Sequence, residues 1–446
     1  MKRILIQTKG LLLSVFCCMS VFVCWGQNTL SALDNMHSVS KGETWESVAA
    51  DYGVSVSELQ AANPDISSKK LKKGKLLIIP QKPQPAPAVE VPEEPASVIR
   101  TVFSDLKVGV LLPFSDKNML EFYRGLLMAA DSVRKNGVNL DIYTWDCGTT
   151  TEQIGRLLPQ ISGLDVLFGP TSATQIPPVA EVCKEQGIRL VLPYWSGQPL
   201  LDYPLVYNAS SPNTMLYDAA VRNMMRYYGD KNFIFVRSGD ADVQGKMLSE
   251  ALAKELTQRS GTFRVLELEG DDFAYESAFN QFRDNMILID GSSVRALNIL
   301  LARLKDFRQK HSEYHLSLIG YPEWQDETQR LLGDFFAFDT YIICPYYYNV
   351  LAGRTKQFEH AYTKNFRTPI VQSNPCHAAL GFDLGCYFLG GISSLGDTFE
   401  QMQGSLNQEP YQNWYRFERS TSGMSFFNNF VLFVHFTPEK KIELIR

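Results

Sequence analysis

Residues 81–98 read QKPQPAPAVEVPEEPASV, and no other stretch limits the possible folds so strongly. Proline removes backbone donors and breaks helices, and the interspersed acidic residues oppose burial. Neither a regular element nor a core can run through such a segment. It is a linker, placed at 81–104, and its prolines bias it toward extended polyproline II geometry at about 3 Å per residue. The parts of the chain on its two sides must fold separately. The chain, at 446 residues, is in any case too long for one compact core.

The N-terminus carries Lys2, Arg3 and Lys9, then an uncharged apolar run from Leu11 to Trp25, then a polar stretch from Gln27 and Asn28. That order is a secretory signal peptide over residues 1–26, with cleavage near Gly26. The run is shorter than the roughly 20 residues that cross a bilayer. Cys17, Cys18 and Cys24 raise the alternative of lipidation, but the residues before them, Phe16, Cys17 and Val23, are not the small ones a lipobox carries. Simple secretion to the periplasm or cell envelope is expected. Beyond the leader remain Cys147, Cys183, Cys344, Cys376 and Cys386, without a CxxC pair; they read as small buried apolar residues rather than a disulfide framework. The 43 basic and 48 acidic residues form no basic stripe, which excludes nucleic acid as a partner.

Residues 37–80 alternate their local signals in the order strand, helix, helix, strand. His37 to Val39 forms a short strand, Gly42 turns, and Thr44 caps a helix carrying Val48, Ala49 and Tyr52. Gly53 ends it, Ser55 caps a second helix with Val56, Leu59 and Ala62, and Asn63 and Pro64 stop that one. Lys75 to Ile79 closes the βααβ unit, whose small size commits Val39, Leu59, Leu71 and Ile78 to its core. The segments HSVSKGETWESVAADYGVSVSELQAANP and LKKGKLLIIP closely resemble the LysM family over the whole unit. The resemblance implies binding of peptidoglycan through its N-acetylglucosamine-containing glycan. The groove it implies lies between Gly42, Glu43, Thr44 and Trp45 on one loop and Asn63, Pro64, Asp65 and Ile66 on the other. Trp45 reads equally as core and as a sugar platform. Lys69, Lys70, Lys72 and Lys73 read as a solvated face.

From Leu106 to Pro113 the chain is nearly all apolar, as strands buried on both faces of a parallel sheet are. A helix is expected over about 118–135. Strands come next at Leu140 to Tyr143, Val166 to Phe168 and Arg189 to Pro193, with helices between them. A second set starts at NFIFVRS, with a helix around Gln244 to Gln258 and strands at Phe263 to Leu268 and Met286 to Asp290. Repeated βαβ order gives an α/β, doubly wound, two-lobed domain over 105–446. Residues 414–446 alternate in strand fashion and are expected to form a C-terminal β-meander.

The segments VGVLLPFS, RGLLMAADSV, DVLFGPTSAT, FVRSGDADVQG and ALGFDLGCYFL resemble type I periplasmic binding proteins, the class of branched-chain amino-acid receptors. This implies three crossings between the lobes, one near Asn208 and another near Tyr346 to Asn349. A cleft ligand would then meet Phe114, Ser115, Thr171, Ser172, Tyr194, Trp195 and Ser196, but no buried acidic partner for an amino group stands out. Tyr321, Trp324 and Tyr346 to Tyr348 fit a filled cleft or a protein-binding surface as well as ordinary core.

GxSxG, Walker A, GxGxxG and HExxH motifs are all missing from the sequence. His311 and His315 stand four apart, the spacing of one helix face, but lack a third ligand nearby. Residues 240–251 begin like a calcium loop and end at Ala251 where a Glu is needed. No catalytic residue, metal or cofactor is expected. The combination of an envelope tether with a binding-protein fold resembles the lipoprotein activators of penicillin-binding proteins. The leading expectation is therefore a non-enzymatic protein that docks on peptidoglycan and engages a cell-wall synthase or other envelope protein. The alternative is a receptor for an amino acid or muropeptide in the interlobe cleft, contacted by Ser172 and Ser196.

Overall fold

The computed structural model describes residues 36–63, 66, 71–74, 76–79, 104–195, 197, 200, 202–239, 241–259, 261–350, 352–419 and 425–446. The expected leader, 1–26, and nearly all of the linker lie outside the described residues.

In the small module, β1 (Met36–Ser38) is succeeded by α1 (Trp45–Asp51), α2 (Val56–Ala61) and β2 (Leu76–Ile78), as the sequence predicts. The strands pair antiparallel with His37 opposite Leu77. Both helices start at a reciprocal capping box. Thr44 Oγ1 accepts from the Ser47 N–H while Ser47 Oγ accepts from the Thr44 N–H, and Ser55 and Glu58 do the same. The core joins Val39, Trp45, Val48, Ala49, Leu59, Leu77 and Ile79, with Leu71 half-buried against it.

The large domain opens with β3 (Asp105–Leu112), α3 (Lys117–Lys135), β4 (Asn139–Asp146), α4 (Thr151–Leu157), β5 (Val166–Phe168), α5 (Ile176–Gln186), β6 (Arg189–Leu192) and β7 (Val206–Asn208). The chain then passes into a second lobe. There α6 (Asn213–Tyr228), β8 (Asn232–Arg237), α7 (Val243–Gln258), β9 (Phe263–Glu267), α8 (Asp272–Ala278), β10 (Asn285–Ile289), α9 (Val294–Lys310), β11 (Leu316–Gly320), α10 (Thr328–Ala337) and β12 (Thr340–Cys344) come in order. It returns to the first lobe with α11 (Gly353–Phe366) and α12 (His377–Gly385), and a π turn continues α12 over Cys386–Gly390.

The expected β-meander resolves into two antiparallel ladders on different sheets. β13 (Phe417–Arg419) and β14 (Phe426–Asn428) extend the first sheet, giving β13-β14-β7-β6-β5-β3-β4. β15 (Leu432–Phe436) and β16 (Ile442–Ile445) extend the second, giving β16-β15-β12-β11-β10-β8-β9. The lobes are thus joined by three crossings, between β7 and α6, β12 and α11, and β14 and β15. Two of them fall where the sequence places them.

The first lobe is held most closely where α3 meets α12. A Cβ built on Gly125 would stand 1.9 Å from the Ala378 carbonyl oxygen, and one on Gly381 1.9 Å from that of Phe122. Only glycine permits this approach. The helical run 377–405 is apolar enough to span a membrane by composition, but 78% of its most apolar window is buried inside the domain. All five described cysteines are free thiols, four of them buried, as expected of apolar filler.

Candidate functional site

The binding residues expected from the sequence fall in two places. The first is the loop into α1. Gly42 adopts φ +95°, a conformation that favours glycine, and is exposed with open space around it; Thr44 is exposed beside it. Glu43 fixes the loop, accepting from the Ser40 N–H at 2.7 Å and bonding His37 Nε2 at 2.7 Å. Burial raises its carboxyl, yet these bonds outweigh it and hold Glu43 below its ordinary value. Two expected groove residues point inward. Trp45 is 3% exposed in the core, so it has no face free for a sugar. Asn63 is buried and spends Nδ2 on the Leu59 carbonyl at 2.7 Å, ending α2. Ile66 is half-buried against the core, and Pro64 and Asp65 lie outside the described residues.

The second place is a cavity of about 190 Å³ between the lobes, where the three crossings converge. Tyr194 and Leu380 contribute from the first lobe, Asn213 and Leu216 from the second, and Ser210, Tyr346 and Phe430 from the crossings. No charged side chain lines it. Tyr194 shares a 2.6 Å hydrogen bond with His377 Nδ1, and burial holds His377 below its ordinary value, which favours the neutral ring. Asn213 Nδ2 donates to Gln244 Oε1 at 3.0 Å, and Gln244 Nε2 donates to Glu323 at 2.5 Å. Burial, with Asp242 adding to it, raises the Glu323 carboxyl. On the rim, Asn374 Nδ2 donates to Asp326 at 2.8 Å and so ties the first lobe to the second.

Of the expected cleft residues, Tyr194 lines this cavity and Trp195 adjoins it, its N–H donating to Ser210 Oγ at 3.1 Å. Phe114, Ser115, Thr171 and Ser172 stand at the carboxyl ends of β3 and β5 but do not line it. The reason is strand order: β6 and β7 adjoin the crossings, whereas β5 and β3 lie farther along the sheet. Phe114 instead packs edge-on to Tyr123 at 5.1 Å, and Ser172 Oγ bonds Thr174 Oγ1 at 3.1 Å. Ser196 lies outside the described residues.

Aromatic residues do not fill the cleft. Tyr321 and Trp324 are fully buried in the second lobe, bonded to the Ile289 and Ser292 carbonyls, and Tyr347 packs on that same core. Only Tyr346 of the five lines the cavity. Asn213, Gln244 and Glu323 escaped the sequence reading because helix starts and loops of ordinary polarity give no local sign that they converge. His311 caps the end of α9 and His315 falls beyond it, so they do not share a helix face. Among the described residues no group of three or more His, Cys, Asp or Glu could hold a metal ion.

The LysM family model matches residues 37–80. Residues 37–80 are a LysM domain. The loop carrying Gly42 and Thr44 is thus the exposed entry of the first LysM helix. A comparison with curated protein sequences returned no match. Among solved structures, a putative branched-chain amino acid ABC transporter from Rhodospirillum rubrum is similar at 15% identity. The alignment covers 76% of this chain and 100% of that one, with a TM-score of 0.53. A branched-chain amino acid ABC transporter periplasmic ligand-binding protein from Burkholderia xenovorans is similar at 13% identity, over 76% and 94% of the two chains, with a TM-score of 0.47. The two sheets and the likeness to the Rhodospirillum rubrum protein give the domain behind the LysM domain the two-lobed periplasmic-binding-protein fold.

Proposed function

We propose that this chain is a non-enzymatic, exported cell-envelope protein, held on peptidoglycan by its LysM domain, whose two-lobed domain takes a small uncharged ligand between the lobes. The observation that carries the reading is the cavity at the crossings. Its aromatic and aliphatic walls bear Ser210, Asn213 and other hydroxyl and amide groups but no charge, which suits a neutral molecule rich in hydroxyl or amide groups. A free amino acid would bury an ammonium and a carboxylate there without ionic partners, which is costly. Export is supported by the leader-like residues 1–26 and by the ligand typical of LysM domains.

Co-sedimentation with insoluble peptidoglycan should retain the full chain and lose it when 37–80 is deleted; equal retention would sink the tether. A thermal-shift series should respond to neutral sugars rather than to amino acids or muropeptides, which carry charged groups. A ligand at 100 times its Kd adds about 2.7 kcal/mol. Tyr346→Ala should abolish that response, and silence across the whole series would sink the cleft reading.

A second reading, engagement of an envelope protein such as a cell-wall synthase, draws on the second lobe. Phe273 in the first turn of α8 and Phe282 beyond its end are 76% and 88% exposed, and Val265 on the edge strand β9 is 45% exposed. Exposed aromatics and an open strand suit a protein contact. Crosslinking in cells should then yield an envelope protein that Phe282→Ser loses.

A further inference from the structure

Behind the cleft lies a second cavity that the proposed function does not use. At about 270 Å³ it is larger than the interlobe one, and it sits between the π turn 386–390 and the segment 406–415. Asp383, Cys386, Ser394, Asn407, Glu409 and Tyr415 are among its lining residues; two carboxylates are present and no basic side chain.

Asp383 comes from the apolar α12 and is 3% exposed. Its Oδ1 accepts from the Tyr411 N–H at 2.8 Å, and its Oδ2 from the N–H groups of Gln412 and Asn413 at 2.8 and 2.9 Å. A carboxylate has about four acceptor positions, so Oδ1 retains one. Tyr415 is 3% exposed, and among the described residues its hydroxyl has no hydrogen-bond partner. Buried polar groups almost always find partners. The nearest cation, Arg354, is already engaged: it donates to the Glu409 carbonyl at 2.6 Å and lies over the Tyr411 ring at 4.6 Å.

We infer that this cavity is a second small-molecule site, one that takes a primary ammonium group. An ammonium carries three donors and no acceptor, which suits a cavity whose lining holds a carboxylate with a spare acceptor position and a hydroxyl without a partner. It also supplies the counter-charge that a buried carboxylate calls for. Phe382, Tyr387 and Leu406 give an apolar seat for the carbon skeleton behind the nitrogen. The site differs from the interlobe cavity in chemistry as well as in place, although Asn413 lines both.

The test uses calorimetric titration of the full chain with methylamine, glucosamine and 1,5-diaminopentane, and with tetramethylammonium, which has the charge but no N–H donor, and acetate as controls. At least one amine should bind saturably and the controls should not. Tyr415→Phe, which removes only an unpartnered hydroxyl, should leave thermal stability unchanged or higher and weaken the amine at least 10-fold. Asp383→Asn should weaken it further, while Tyr346→Ala in the interlobe cavity should leave it unchanged. Failure of all three amines to saturate the wild type overturns the proposal. So does an affinity that Tyr415→Phe leaves intact, or one that Tyr346→Ala abolishes.

Discussion

Replacing Gly381 by alanine and Gly333 by alanine should move stability in opposite directions, although both glycines sit inside helices. At Gly381 the new methyl would lie 1.9 Å from the Phe122 carbonyl oxygen and 2.8 Å from its carbon, where ordinary contact begins near 3.4 Å. The obstacle is backbone of α3, which has no rotamer to change, so α3 and α12 must separate by about 1.5 Å. Overpacking of this kind costs ~1–3 kcal/mol, and a rigid obstacle puts the cost at or above the upper end. Alanine returns ~1 kcal/mol of helix propensity, which leaves a net loss of roughly 2 kcal/mol. At Gly333, in α10, nothing lies within 4 Å of the added methyl, so only the propensity gain of up to ~1 kcal/mol remains. For a domain of this size, at about 2.1 cal/mol/K of unfolding entropy per residue, each kcal/mol moves Tm by about 1–2 °C. Calorimetry of the two variants should therefore show Gly381→Ala melting about 2–4 °C below wild type and Gly333→Ala slightly above it. A Gly381→Ala variant melting within a degree of wild type would refute the claim that contact with the backbone, rather than helix propensity, dictates glycine in this helix pair.

Thr44→Ala removes the capping box at α1 and should cost the LysM domain ~1 kcal/mol, seen as faster hydrogen exchange of the α1 amides and weaker retention on peptidoglycan. Burial lifts the Asp383 carboxyl to about 7, above its unfolded value near ~3.9. The fold therefore holds a proton that the unfolded chain releases, and the contribution is full below about pH 4 and lost as pH rises through about 7. From pH 5 to 7 wild type should lose about 1–3 kcal/mol relative to Asp383→Asn in urea titrations, and parallel pH profiles would contradict this. Asn374→Ala cuts the tie to Asp326 across the cleft and should raise the radius of gyration in X-ray scattering, with no change if the lobes are held by the crossings alone.

Local chemistry in the sequence was enough to delimit the LysM domain and most strands and helices of the large one. Caps at Thr44 and Ser55, and apolar runs such as that ending β3, act within a few residues and need no partner to be read. The motif glycines also proved meaningful, since Gly125 in RGLLMAADSV and Gly381 in ALGFDLGCYFL are the points where those two helices touch. What escaped was pairing at long range. The alternation after residue 414 marks strands but cannot say that β14 joins β7 while β15 joins β12. The interlobe cavity likewise depends on which crossings converge, so Tyr194 was found while Asn213 was not. Trp45 was ambiguous because an aromatic at a helix start suits a core and a sugar equally, and only its burial decides. Asp383 left a visible sign, the single charge in ALGFDLGCYFL, which marks a local conflict of the kind that special sites show.

The division of the last four strands between the two sheets also governs how the chain can be made. A nascent chain that has emerged as far as α12 exposes β7 and β12 as bare edges, the very strands against which β14 and β15 later close. Both edges are apolar: Tyr207 awaits the stack with Phe426 at 4.6 Å, and every residue of β12 is buried in the finished fold. Open hydrophobic edges invite aggregation. While the LysM domain can close as soon as residue 80 is out, both lobes must wait for the same late residues, and the interval is when this protein depends most on holding factors in the compartment where it folds.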